Sequence, residues 1–234
     1  MKRFYRKTGV IARDGGWQVT LDDRVVKTVS GRAQLVPTRA LAEALAEEWA
    51  GQGEQIDPAG FVLRDLADYA LDVVAPDRAA ALAALLRYGE SDTLCYRADL
   101  EDALHARQLA EWEPLLAAAE ARWDVHFIRV AGIVHQPQPA PTLARLHAVL
   151  AAQSDFALAA LATTANLAAS LVIGLAALAP GADVAALWGA ASLEEEWQAG
   201  LWGRDFEAET RRAQRGKIFA AAARFAALAR MEEE

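Results

Sequence analysis

The chain has 234 residues, 54% of them hydrophobic, which is enough to bury one large core or two small ones. Its formal net charge of −8 and pI near 5.1 argue against nucleic acid or an anionic membrane as the main partner. A single cysteine, Cys95, excludes an intramolecular disulfide and fits a reducing compartment. The opening MKRFYRKTG is basic but has no apolar run, so it reads neither as a secretory signal nor, at this length, as an organelle transit peptide.

Phe4 to about Pro37 reads as short strands separated by turns. Val10 and Ile11 precede the turn signal Asp14-Gly15-Gly16, and Trp17, Val19 and Leu21 then alternate with polar residues. Asp22-Asp23 marks a second turn, Val25 and Val26 a third strand, and Ser30-Gly31 a further turn before Leu35-Val36. This spacing predicts a small antiparallel meander, whose apolar face needs cover from the helices that follow.

Thr38 is placed as the N-cap of a helix running to about Ala50, with Leu41, Leu45 and Trp49 in one stripe and Gly51 and Gly53 beyond it. Trp49 reads as a core residue, with an interface anchor as the alternative. Asp57-Pro58 opens a region of helical pattern that continues almost to the end of the chain. Leu63, Leu66, Ala67, Ala70 and Val74 form one stripe, stopped by Pro76; Leu82, Leu85 and Leu86 form another, stopped by Gly89. Ser91–Asp99 then gathers Asp92, Cys95, Tyr96 and Arg97 beside a helix end. As a nucleophile Cys95 would need a lowered pKa and a histidine base, His105 being the nearest in sequence. The simpler reading is a buried structural thiol, with Asp92 and Arg97 paired elsewhere.

Leu104–Arg122 is amphipathic, with Trp112, Leu115, Leu116 and Ala119 on one side and Pro114 as a point where it can split. Val125–Val130 reads as a short strand, Ile133–Pro141 as a proline-rich connection too short for a disordered linker, and Leu143–Leu150 as helix. Phe156–Ala179 carries no charged residue and is long enough for a membrane span. Thr163, Thr164, Asn166 and Ser170 interrupt its apolar surface, however, and it has no aromatic belt or basic flank, so it reads as the central buried helix of a bundle. Pro180-Gly181 ends it, Asp183 caps a helix that runs on through Ser192–Gly203, and Asp205 starts a final helix with Ile218, Phe219, Phe225 and Leu228 on its apolar side.

Ser192–Gly203, SLEEEWQAGLWG, concentrates three glutamates and two tryptophans. At about 100° per residue, Leu187, Ala191, Gln198, Leu201 and Trp202 share one sector with Ala190 and Trp197. Glu194 falls inside that apolar sector, Glu195 at its edge, and Glu196 opposite, on the wettable side. A carboxylate inside an apolar stripe is costly unless it has a partner.

Signals of catalysis are sparse. The four histidines, His105, His126, His135 and His147, lack zinc-ligand spacing, and there is no G-x-G-x-x-G, P-loop or G-x-S-x-G. Glu194–Glu196 could hold a metal or act as an acid/base pair, as in a carboxylate-based hydrolase or metal enzyme, but no Glu-x-x-His repeat accompanies them. Basic residues are scattered apart from Arg211-Arg212 and Arg215. With seven tryptophans and no visible catalytic apparatus, the chain reads as a binder rather than an enzyme.

Six segments, FYRKTGV, DGGWQVTLDDRVVKT, LVPTRALAEALAEEW, DTLCYR, RQLAEWEPLL and SLEEEWQAGLWG, follow one another in an order and spacing that resembles a known family. It is the family of ATP synthase assembly chaperones that bind the newly made alpha subunit of the soluble catalytic head. The match runs from Phe4 to Gly203; the last helix matches only in character, and Ala199-Gly200-Leu201 stand where relatives carry larger, polar residues.

The resemblance implies an α+β fold: a small N-terminal antiparallel β-rich domain, residues 1–56 with one helix, packed on a larger, mainly α-helical domain, residues 57–234. It implies a non-enzymatic chaperone that keeps unassembled alpha subunit from aggregating before the alpha/beta ring forms. Glu194 matches an acidic residue important in the family and Trp49 a tryptophan important there. The expected partner-binding residues are Glu194, Glu195, Gln198 and Trp202, and the expected structural residues are Trp49, Asp92, Arg97 and Trp112. No catalytic residue, metal ligand or cofactor is expected. Nor is a nucleic-acid partner or a stable membrane insertion, and the free protein is expected to be monomeric. The bacterial form would act in the cytoplasm and a processed organellar homologue in the mitochondrial matrix.

Overall fold

The structure is a computed structural model and describes residues 1–132 and 134–230. The chain divides into two compact units. The first comprises residues 1–78, 154–160 and 221–230, and the second residues 79–153 (Ile133 aside) and 161–220. The fold class is α+β: a small N-terminal antiparallel sheet followed by a helical region.

In the first unit, β1 (Thr8–Arg13), β2 (Gly16–Leu21) and β3 (Arg24–Val25) form the expected meander in the order β1-β2-β3. Arg13 pairs with Gly16 around a two-residue turn at Asp14-Gly15, where Gly15 has φ 88°, a conformation that suits a residue without Cβ. The second turn places Asp22 at φ 52°. Its Oδ1 accepts from the backbone amides of Arg6 (3.0 Å) and Lys7 (2.9 Å), offsetting that cost and holding the carboxyl below its ordinary value. The expected strand at Leu35-Val36 is reduced to an isolated bridge between Trp17 and Val36. That bridge brings the Val36 carbonyl oxygen within 2.4 Å of where a Cβ on Gly16 would lie, so only glycine fits there.

Helix α1 (Arg39–Ala50) packs on β1 and β2 and gives the meander its cover. Thr38 caps it, accepting from the Leu41 amide at 3.1 Å, and Leu41, Leu45 and Trp49 are buried as their spacing predicts. Asp57 caps only a 3₁₀ turn, Pro58–Gly60, and α2 (Val62–Tyr69) starts two residues later. Its first amides are taken by Glu48, whose two carboxylate oxygens accept from Leu63 (2.7 Å) and Arg64 (2.9 Å). The helix continues into a π turn at Ala70–Val74, and Leu63, Leu66, Ala67, Ala70 and Val74 are all buried.

Helix α3 (Arg78–Glu90) does not stop at Gly89. A Cβ there would lie 3.0 Å from Leu146 and 3.1 Å from Leu171, so the glycine serves close packing rather than termination. A 3₁₀ turn at Thr93–Cys95 leads into β4 (Tyr96–Arg97), followed by α4 (Ala103–Trp123). Pro114 does not split α4. It sits on the exposed side, as does Ala110, whose carbonyl loses its helical donor and stays open to water. The expected strand at Val125–Val130 shrinks to β5 (Val130–Ala131), paired in parallel with β4. The preceding stretch instead spends its amides on side chains, Phe127 on Glu120 and Ile128 on Gln138, both at 2.8 Å. Of the proline-rich connection, Ile133 lies outside the described residues; α5 (Ala140–Ala151) follows it.

The apolar run from Phe156 to Ala179 is two helices, α6 (Asp155–Ala168) and α7 (Leu171–Ala177), not one. Ala169 takes φ 49°, and Ser170 caps α7 by accepting from the Ile173 amide at 3.0 Å. Among the described residues no helix is long and apolar enough to cross a membrane. After α8 (Val184–Ala191), capped by Asp183 on the Ala186 amide at 2.9 Å, come α9 (Leu193–Trp202) and α10 (Phe206–Ala229).

Candidate functional site

The expected continuous helix through SLEEEWQAGLWG is interrupted at Ser192. Its hydroxyl donates to the Trp188 carbonyl at 2.8 Å, while the indole N–H of Trp112 donates to the Ala190 carbonyl, also at 2.8 Å. These donors satisfy carbonyls at the end of α8 and let α9 start afresh. The three glutamates therefore occupy the first turn of a new helix, where its amide dipoles favour negative charge. Leu187, in α8, shares no continuous wheel with Leu201 and Trp202.

The new helix turns its own side to water. Leu193 is its one buried residue, and Glu196 and Trp197, on the same side, are half-buried. Glu194, Glu195, Gln198, Leu201 and Trp202 form the opposite face, and all five are exposed. The apolar sector seen in the sequence thus points outward, with Leu201 62% and Trp202 79% exposed. Gly203 closes the helix at φ 98°, its amide donating to the Ala199 carbonyl at 3.1 Å.

The three carboxylates have three different environments. Glu196, expected on a wettable face, pairs with Arg212 of α10 and, more loosely at 3.8 Å, with Arg204. Glu195 pairs with Arg215 at 2.7 Å. Glu194 meets no cation among the described residues and accepts one hydrogen bond, from the Gln108 side-chain amide at 2.7 Å. The arginines are held in place because α10 packs on Trp188. The Trp188 ring lies 5.5 Å from that of Phe219 and 5.4 Å from the Arg215 guanidinium, and a Cβ on Gly216 would lie 2.7 Å from its Nε1.

The expected structural residues are all buried. Trp49 packs between Tyr5, edge to face with ring centroids 5.6 Å apart, and Phe61, tilted at 4.5 Å, and the Tyr5 hydroxyl donates to its carbonyl at 2.6 Å. Trp112 lies under Arg97, 5.4 Å from the guanidinium carbon. Arg97 donates to the Leu94 carbonyl and to Glu113, which also binds Arg129 at 2.5 Å. Asp92 accepts from the amides of Leu94 (3.0 Å) and Val172 (2.9 Å), joining the 3₁₀ turn to the start of α7. Burial pushes its carboxyl up to about 6, against the opposing pull of these donors.

Cys95 is fully buried, and burial together with the nearby Asp92 charge pushes its thiol up to about 12, the reverse of what a nucleophile needs. Among the described residues no group of three or more His, Cys, Asp or Glu side chains is placed to hold a metal ion. Gln108, Arg212 and Arg215 were not among the expected site residues. Gln108 carried a signal, because it sits in the stripe of Trp112, Leu116 and Ala119, where a polar residue needs a partner.

Residues 2–120 match the family of the ATP12 chaperone protein. The chain belongs to the ATP12 chaperone family. This is the assembly-chaperone family that the six motifs resemble. Among solved structures it is similar to Atp12 from Paracoccus denitrificans and to a point mutant of that protein. Each is 37% identical, with 98% of both chains covered and a TM-score of 0.91. A candidate chaperone from Agrobacterium tumefaciens is 36% identical over 97% of this chain and 85% of its own, with a TM-score of 0.90. The ATP12 family match contains Trp49, Asp92, Arg97, Gln108 and Trp112 but ends before α9. The whole-chain structural likeness is what extends the ATP12 fold over the Glu194 face.

Proposed function

We propose that this ATP12-family chain binds the unassembled alpha subunit of ATP synthase through the outward face of α9 and keeps it from aggregating until the alpha/beta ring forms. It acts as a binder without chemistry of its own, in the bacterial cytoplasm. The observation that carries this is the exposed carboxylate of Glu194, without a cation partner among the described residues, on a helix face that also exposes Gln198 and Trp202. Glu195 borders that face, with its charge partly met by Arg215. Trp49 in the first unit and Asp92, Arg97 and Trp112 in the second support it indirectly, as buried side chains of the core of each.

Co-expression with the alpha subunit of the same organism, followed by size-exclusion chromatography, tests this. The two proteins are expected to elute together. Glu194→Lys is expected to abolish co-elution while the chain still folds cooperatively, at a cost of about 1–3 kcal/mol because the buried Gln108 amide loses its acceptor. Glu194→Gln keeps an acceptor for Gln108 and should weaken co-elution with thermal unfolding nearly unchanged. Co-elution that survives the charge reversal would move the contact elsewhere.

A further inference from the structure

We propose that the α9 face recognises a basic segment of its partner at two points: a lysine or arginine side chain at Glu194, and an apolar side chain at Leu201 and Trp202, about 12 Å further along the helix. This deepens the binding proposed above and rests on it.

Three observations meet here. The first is an imbalance of charge. Of the three glutamates, Glu195 and Glu196 already have arginine partners, and among the described residues Glu194 has only the neutral Gln108 amide. The neighbouring cations are also spoken for, Arg204 by Glu196 and Glu209, Arg211 by Glu207. The face therefore presents net negative charge, on a chain of net charge −8.

The second is a concentration of apolar surface. Leu201, Trp202 and Phe206 are 62%, 79% and 81% exposed within six consecutive residues. Single exposed apolar side chains are ordinary, whereas a contiguous group rimmed by polar residues marks an interaction surface. Tryptophan is also the side chain that most often anchors a protein interface.

The third is fixed geometry. Glu194, Gln198 and Trp202 are spaced i, i+4, i+8 on one helix, ended by Gly203, so the carboxylate and the indole keep a set separation. A second copy of this chain fits poorly, since it would bring another uncompensated glutamate toward the first. An anionic membrane is repelled by the same charge.

The test measures binding of purified alpha subunit to the full chain across a range of salt concentrations, with wild type, Glu194→Gln, Trp202→Ala, Trp202→Phe and Gln198→Lys. Wild-type affinity is expected to fall as salt rises. Glu194→Gln should weaken binding about tenfold and flatten the salt dependence, removing the charge contact. Trp202→Ala should weaken it by about tenfold or more with the salt slope retained, and Trp202→Phe should recover most of that loss. Gln198→Lys should weaken binding by setting a like charge between the two points. Wild-type affinity in Trp202→Ala, or an unaltered salt slope in Glu194→Gln, overturns two-point recognition while leaving alpha binding intact. A wild-type chain that does not bind alpha removes the proposed function itself, and this inference with it. Concentration-dependent dimerisation lost in Trp202→Ala would assign the face to a second copy and overturn the proposal.

Discussion

Gln108, in α4, donates its side-chain amide to Glu194 in α9 at 2.7 Å while its carbonyl oxygen accepts from the Ala98 amide at 2.8 Å. One buried neutral residue thus ties the start of α9 to the chain just after β4 without neutralising the glutamate. Gln108→Leu keeps the volume but leaves the Ala98 amide unpaired and frees Glu194. It is expected to cost about 1–3 kcal/mol in urea unfolding, and to lower the protection of α9 amides in hydrogen exchange.

Asp92 gives the protein a pH dependence of definite sign. Its carboxyl is raised from an ordinary 3.8 to about 6, first by burial. Between those values the folded state keeps a proton that the unfolded chain has released. Asp92 therefore lowers stability as pH rises from about 4 to about 6, by on the order of 3 kcal/mol, and adds no further change above that. A carboxyl carbon titration by NMR should place its midpoint near 6. In Asp92→Asn this part of the pH profile should vanish. A midpoint at the ordinary value would contradict the assignment.

Cys95 should resist thiol reagents in the native state. With the thiol fully buried and pushed up to about 12, almost no thiolate exists at neutral pH and no reagent reaches it. Labelling is expected to track global unfolding in denaturant, with one thiol modified per chain. Rapid labelling of native protein would show that the Thr93–Cys95 turn opens locally.

Gly89→Ala separates two effects of opposite sign. In a free helix the change is stabilising by up to about 1 kcal/mol. Here the new methyl meets Leu146 at 3.0 Å and Leu171 at 3.1 Å, closer than side chains ordinarily pack. Overpacking of this kind costs about 1–3 kcal/mol, so a net loss of stability is expected from thermal or chemical unfolding. A more stable variant would mean that α3, α5 and α7 are packed more loosely than these distances indicate.

Local chemistry was legible wherever a residue acts on its own neighbourhood. The turn at Asp14-Gly15, the caps at Thr38 and Asp183, and the buried stripes of α1 and α2 follow from turn geometry, orphan amides and helical spacing. The breaks at Ala169 and Ser192 were not legible in this way. Asp92 reaches across 80 positions to the Val172 amide, and Trp112 across 78 to the Ala190 carbonyl, and these distant partners satisfy the groups that each break exposes.

The SLEEEWQAGLWG segment divides along the same line. Its sequence by itself determined a helix closed by glycine, with Glu194, Gln198, Leu201 and Trp202 on one side and Glu196 on the other, because side-chain direction in a helix depends only on spacing. Only the tertiary structure decided which side meets water. Leu193 packs inward, Arg212 of α10 draws Glu196 toward the body of the unit while Arg215 meets Glu195 at the edge of the outer face, and Leu201 and Trp202 are left facing out. Periodicity fixes the angles between side chains, and the helix turns to whichever side its neighbours can satisfy.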